Sequence, residues 1–418
     1  MKLKNLIAVL SLIPAFVLAD WPDFRGPTGQ GHVPDDQQLP VEWTTEKNVT
    51  WKHSLAGKGW SAPTVYQGKI FLTTAVAEGD DQNVNGVDRS LRTICLHAKT
   101  GEVIWDIEVF KQDGKTAPKI HNKNSHASPS AVVTEDRVFV HFGHQGTACL
   151  DHAGKVIWTN RDLSYKPVHG NGGSPIIVGD KLIFSCDGPP EGFAVALNTK
   201  TGKEVWRTQR PSGAKSPFSF STPLLVEADG RKELVLPGSG FIWAYNPETG
   251  EELWKVNWDQ GYSVVPRPVA GHGMIYASSG FNKPILHAVK TGGNGDVTES
   301  HVVWKGETKG VPRNASFLLV GDELYTFDDG GVGTCWDAKS GEVVWQDRVS
   351  GPFSASPIYN NGRIYTLDEK GIVTVLEAGR EFKKLATNDM GERSLASMGV
   401  DGNALLVRTE TALYRIEE

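Results

Sequence analysis

The stretch Asn198-Thr199-Lys200-Thr201-Gly202-Lys203-Glu204-Val205-Trp206 decides the fold, because the chain repeats it. Related copies run AKTGEVIW from Ala98 to Trp105, NPETGEELW from Asn246 to Trp254 and DAKSGEVVW from Asp337 to Trp345. DHAGKVIW, ending at Trp158, lacks the Thr, and the copy opened by Thr291 and Gly292 carries an insertion before Trp304. Trp-to-Trp steps of roughly 40 to 53 residues fall in the period of solenoids, arrays and propeller blades.

Working outward, each copy is preceded by a small residue and Pro, an apolar run, a tight turn and a second apolar run. SPIIVGDKLIFSC from Ser174, SAPTVYQGKIFLTTA from Ser61 and ASPIYNNGRIYTL from Ala355 are examples. Alternating Val, Ile, Tyr and Phe between Gly, Asn and Asp read as short strands joined by hairpins. The Asx-x-x-Thr-Gly phrase makes the next turn: the Asx side chain bonds the backbone ahead of it and Gly supplies the positive φ. Four antiparallel strands per unit make a propeller blade.

The expected fold is therefore all-β, an eight-bladed β-propeller of four-stranded antiparallel blades. Seven blades fall at about 61-109, 127-160, 173-208, 221-257, 263-306, 311-349 and 353-388. The eighth joins 393-418 to an outer strand at 48-53 (NVTWKH), so the N-terminal strand closes the ring on the C-terminal blade. Closure leaves only short outer edges exposed. Residues 20-418 are expected to form a single domain. The repeated Trp reads as a wedge packed on the neighbouring blade. The seventh blade has none, and Leu385 or Phe382 is expected to fill its place.

Composition narrows the function. A formal net charge of -6 without a run of Lys and Arg argues against nucleic-acid partners. Residues 1-19, with Lys2, Lys4, an apolar core and Val17-Leu18-Ala19, read as a signal peptide cleaved near Ala19, which places the protein in the periplasm or outside the cell. The apolar run is too short for a transmembrane segment. Cys95, Cys149 and Cys335 occupy a third-strand slot that holds Ala196, Ala244 and Ala288 in other copies. Free buried thiols are expected there, with Cys186 separate.

The A-x-x-T-G-x-x-x-W phrase and the small-Pro strand starts resemble the PQQ-like repeat of quinoprotein-type β-propellers over nearly the whole mature chain. Two subgroups bear on function. One is the outer-membrane assembly factor of the BamB type, a non-catalytic periplasmic scaffold. The other comprises quinoprotein alcohol dehydrogenases, which hold pyrroloquinoline quinone and calcium. The opening DWPDFRGPTGQG (Asp20 to Gly31) and LPVEW (Leu39 to Trp43) also resemble the start of exported PQQ-like proteins without an assigned activity. The adjacent Cys pair typical of the dehydrogenases is missing, so the resemblance implies a scaffold with envelope proteins as partners and no cofactor. A PQQ- and calcium-dependent dehydrogenase is the alternative, and a small molecule or glycan bound at the channel mouth is a third.

Propeller sites gather where loops converge on the central channel, and the small-Pro motifs mark those loops. His126, His169, Tyr262, Arg267, Arg313 and Asn314 lie at the inner-strand starts, and Asp187 and Asp328 follow second strands. Arg267 and Arg313 are the candidate clamp for a carboxylate or phosphate, and Tyr262 or Phe218 the candidate stacking surface. Asp187, Asp328 and Asn314 offer the hard oxygens that calcium takes. His121, His126, His141, His144, His152 and His169 crowd two adjacent blades without a compact metal-binding motif, so neither a metal site nor a catalytic residue is assigned.

Overall fold

The computed structural model describes residues 20–418 apart from 80, 259, 260, 282 and 308. The signal-peptide reading of 1-19 lies outside the described residues. The remainder forms eight antiparallel sheets of four strands, one of them extended by a short fifth. In chain order the blades span 64–112, 132–160, 176–210, 224–257, 269–306, 318–348 and 358–389, and the eighth combines 399–416 with 49–54. They are called blades 1 to 8 below. Closure is as expected: outer strand Val49–Ser54 pairs antiparallel with Ala412–Ile416, with His53 opposite Leu413.

The repeat phrase works between blades. The Trp of one blade lies on the Thr-Gly turn of the next, and its indole donates to a carbonyl in that turn. Trp158 of blade 2 donates to Thr199 O at 2.8 Å, Trp206 to Pro247 O at 3.1 Å and Trp304 to Ala338 O at 2.9 Å. Trp105 reaches His152 O and Trp345 reaches Gly379 O, both at 3.0 Å. Trp51, on the closing strand, reaches Ala98 O of blade 1 at 3.1 Å. The turn glycine is required twice over. Gly202 has φ +68°, and a Cβ there would lie 2.4 Å from the Trp158 ring. Asn198 Oδ1 accepts from Lys200 N and Thr201 N at 3.1 Å, holding the turn open to the indole.

Across the strand pair each of these Trp faces the small slot: Cys95, Cys149, Ala196, Ala244, Ala288 and Cys335 lie opposite Trp105, Trp158, Trp206, Trp254, Trp304 and Trp345. All four cysteines are buried and free, and burial pushes the thiols of the three in this slot up to about 12.

Two seams depart from the rule. Between blades 4 and 5 the inserted turn offers no carbonyl, and the buried Glu233 replaces it, accepting from Trp254 Nε1 at 2.9 Å and from Gly292 N at 3.1 Å. In blade 7 the register puts Ala386 opposite Val375 at the Trp position, so neither Leu385 nor Phe382 takes the slot. Phe382 instead lies against Trp345, ring centroids 5.2 Å apart. The N-terminal segment lies beside this strand, Val41 O accepting from Asn388 Nδ2 at 3.0 Å. Trp43 is buried in the same cluster as Leu385 and Ala386, its amide held by Asn388 Oδ1 at 2.9 Å.

Trp158→Ala is expected to destabilise the ring by about 3–5 kcal/mol, read as a lower urea midpoint. Gly202→Ala should lower it too. An unchanged midpoint for both contradicts the docking role.

Candidate functional site

The axis of the ring is built from the small-Pro motifs. The backbone N–H at the start of one inner strand donates to the Ser or Thr hydroxyl at the matching position of the next blade. Ala62 N donates to Ser130, Ser130 N to Ser174, Ser174 N to Thr222, Arg267 N to Ser316, Ser316 N to Ser356 and Ser356 N to Ser397, all at 2.9–3.0 Å. The chain of bonds breaks where the next position carries no hydroxyl, at Arg267 and at Ala62.

One mouth of the channel is closed by residues 20–43. Trp21 exchanges backbone hydrogen bonds with Val65 of blade 1 at 2.8 and 2.9 Å, Pro22 O accepts from Val133 N of blade 2, and Val33 N donates to Tyr359 O of blade 7. Gln30 accepts from Ala270 N of blade 5 at 2.7 Å. Arg25, almost wholly buried, donates to Phe317 O at 2.6 Å and Pro357 O at 3.3 Å. Burial lowers its pKa to about 9, with the charge of Arg267 adding to the effect.

Arg267 belongs to this plug. It is 3% exposed, donates to Phe24 O at 2.6 Å and Pro223 O at 3.0 Å, and stands 3.8 Å from Asp23. The expected Arg267–Arg313 clamp is therefore not formed: Arg267 fixes the plug beneath the site. Burial, opposed by Arg267, raises the Asp23 pKa to about 6.

Above Phe24 a cup of about 520 Å³ opens on the loop face. It gathers four of the eight expected residues: His169, Tyr262, Arg313 and Asn314. One wall is an arc of rings running His121, His169, Phe218, Tyr262, Phe281, with successive centroids 5.4–5.6 Å apart. Arg313 ends the arc, its guanidinium 5.5 Å from the Phe281 ring centroid. Its Nε is buried without a partner, and among the described residues it has no ion pair. The loop after blade 1, which carries His121, also lies at the mouth. Lys123 meets Glu369 at 2.6 Å and Asp329 at 3.7 Å, and Asn122 O accepts from Arg393 at 3.0 Å.

The other expected residues lie outside the cup. Asp187 pairs with Arg210 at 2.7 Å and accepts from Ser219; desolvation raises its pKa against the pull of Arg210. Asp328 accepts from the amides of Gly310, Gly330 and Val332 at 2.8–3.1 Å and closes its own turn. Its neighbour Asp329 lines the cup instead, accepting from Arg313 N at 3.0 Å and from Asn314 Nδ2. His126 is bonded to Gln112 at 3.0 Å, and burial lowers its pKa to about 3. His141 and His152 face elsewhere, bonding Thr147 Oγ1 and Thr134 O. Among the described residues no three His, Cys, Asp or Glu side chains converge as a metal site would require.

A family profile described as outer membrane protein assembly factor BamB matches residues 75–231 and 238–412. The chain belongs to this family. The crystal structure of BamB from Moraxella catarrhalis is 14% identical, with 88% of this chain and 97% of that chain covered and a TM-score of 0.60. A quinohemoprotein alcohol dehydrogenase from Pseudomonas putida reaches a TM-score of 0.63 at 13% identity, covering 96% of this chain and 80% of that one. A europium-containing methanol dehydrogenase scores 0.63 at 11% identity, covering 94% and 90%. At these identities the likeness is one of fold. No curated protein matches the chain by sequence. No helix among the described residues is long and apolar enough to cross a membrane.

Two measurements check the site's supports. Arg25→Ala strips the plug of its deepest anchor, so limited proteolysis should cut within 20–43 while the blades stay intact; wild-type resistance there contradicts the plug. His141 and His287 are buried, and burial holds them neutral, with pKa values lowered to about 3 and about 4. The unfolded chain gains two protons below about pH 6.5 that the fold does not bind. Stability should therefore fall by roughly 2 kcal/mol per pH unit from this pair as pH drops from 6 towards 4, read by urea titration. His141→Asn should reduce that slope.

Proposed function

We propose that this protein is an exported, non-catalytic binding propeller of the cell envelope whose working surface is the cup-bearing face. The observation that carries this reading is the plug. With one mouth sealed by 20–43 and Arg267 holding that seal, exchange with solvent and partners is confined to the opposite face, where the aromatic arc and Arg313 lie. Family membership favours a scaffold whose partners are envelope proteins.

The groups that would perform chemistry are otherwise engaged. Asp187 is neutralised by Arg210, Asp328 caps its turn and His126 is held neutral. The hydroxyl–carboxylate contact at the rim, Ser354 to Glu369 at 2.7 Å, is paired with Lys123, which makes Glu369 a poor base. Pyrroloquinoline quinone with calcium fits these residues poorly. Of the oxygens suggested for calcium only that of Asn314 lies in the cup; Asp187 is paired with Arg210 and Asp328 is taken up by three backbone amides. One unpaired guanidinium is also too little charge for a polycarboxylate.

The test compares the two faces. A photo-crosslinking residue placed at Asn122 or Lys370, on the cup side, should give discrete adducts in intact envelopes. One placed at Thr28 or Asp35, on the plug side, should not. Adducts only from the plug side, or alcohol-dependent dye reduction after loading with pyrroloquinoline quinone and calcium, would overturn the proposal.

A further inference from the structure

The axial hydroxyls do more than join blades. Ser130, Ser174, Thr222, Ser316, Ser356 and Ser397 all line the cup, and each is at least nine-tenths buried. Each oxygen accepts a backbone N–H from the preceding blade. A hydroxyl has one proton to donate besides its acceptor capacity, and none of the six gives that proton to a protein acceptor among the described residues. Buried donors take a partner, and the remaining direction is into the cup. An oxygen that already accepts a hydrogen bond is also a stronger donor through its own proton. The wall thus presents six polarised O–H donors around the axis.

Two further features restrict what fits them. Arg313 adds one unpaired cation, its Nε buried without a partner and its plane beside Phe281. Lys123 is taken up by Glu369 and Asp329, so it offers no free charge and, among the described residues, Arg313 is the one cationic side chain of the cup without an ion pair. The arc of His169, Phe218, Tyr262 and Phe281 offers edges and faces to a flat apolar body. Donors and one guanidinium without a salt-bridge partner, meeting an aromatic wall, match a ligand with one negative acceptor group on a planar ring.

Resting on the binding reading above, we infer that the cup binds a small aromatic monocarboxylate, its carboxylate held by Arg313 and the axial hydroxyls and its ring against Phe218 and Tyr262. A bidentate guanidinium–carboxylate contact shielded from water discriminates by charge as well as shape. A neutral sugar would use the same hydroxyls and rings but gain nothing from Arg313.

Calorimetry on the full chain tests this with indole-3-acetate, indole-3-acetamide and maltose. The acid is expected to bind about tenfold more tightly than the amide, the difference a charge-assisted hydrogen bond supplies. Arg313→Gln should bring the acid down to the amide's affinity, and Arg313→Lys should restore part of the gap. Thr222→Val, which removes one axial hydroxyl at constant shape, should weaken the acid severalfold, while Thr222→Ser should not. Equal binding of acid and amide in the wild type overturns the inference while leaving a binding cup intact. Maltose binding that is indifferent to Arg313→Gln, with no binding of the acid, also overturns it. Absence of binding by all three probes overturns this ligand class, and the face-specific crosslinking then judges the binding reading independently.

Discussion

The structure depends on one interaction, an indole laid on the glycine turn of the following blade with its N–H given to a carbonyl there. A sheet in a propeller has two faces to cover, and the Trp wedge covers one against the next blade while its N–H sets the angle between them. The geometry leaves no space for a Cβ at Gly202 or Gly341. It also demands a small residue across from the Trp, which explains the alternation of Cys and Ala at that slot. Where the wedge is altered, the seam is rebuilt with other means: Glu233 replaces a carbonyl between blades 4 and 5, and Trp43 packs into the cluster around Ala386.

Docking at the rim brings the inner strands together at the axis, and there a second set of bonds takes over. The small-Pro positions pass hydrogen bonds from blade to blade through hydroxyls, leaving their protons to the channel. The break at Arg267 is also where the plug is fastened, because a guanidinium in place of a hydroxyl reaches down to Phe24 O. Sealing one mouth turns a channel into a cup. The side chains that do not repeat, Arg313, Asn314, Asp329 and Lys123, then surround its opening.

Much of this was legible in the sequence, for reasons of range. The blades, the Asx–Gly turns and the free thiols follow from local pattern. The strand at 48-53 was legible because its partner lacked an outer strand. The site was legible only in part, since burial and partners are set by contacts between distant segments. Arg267 reads as a channel arginine until 20–31 is placed beneath it. Asp328 and Asp329 are neighbours in one turn, and only the backbone decides that the first bonds amides and the second faces the cup. Ala386 at the Trp position needed the bulge at Val375 and Leu376 to be located. The small-Pro motif did carry the signal for the axial hydroxyls, but their direction appears only once neighbouring blades are set side by side.

The central claim is that residues 20–43 are an integral part of the ring, closing one mouth and completing the seam at blade 7. Hydrogen exchange on the intact protein tests it most directly. Amides of Trp21, Val33, Leu39 and Trp43 donate to Val65 O, Tyr359 O, Asn360 Oδ1 and Asn388 Oδ1 at 2.9–3.0 Å, so the account predicts that they exchange as slowly as the inner strands. Exchange of this segment at the rate of a free chain, with the blades protected, would contradict it.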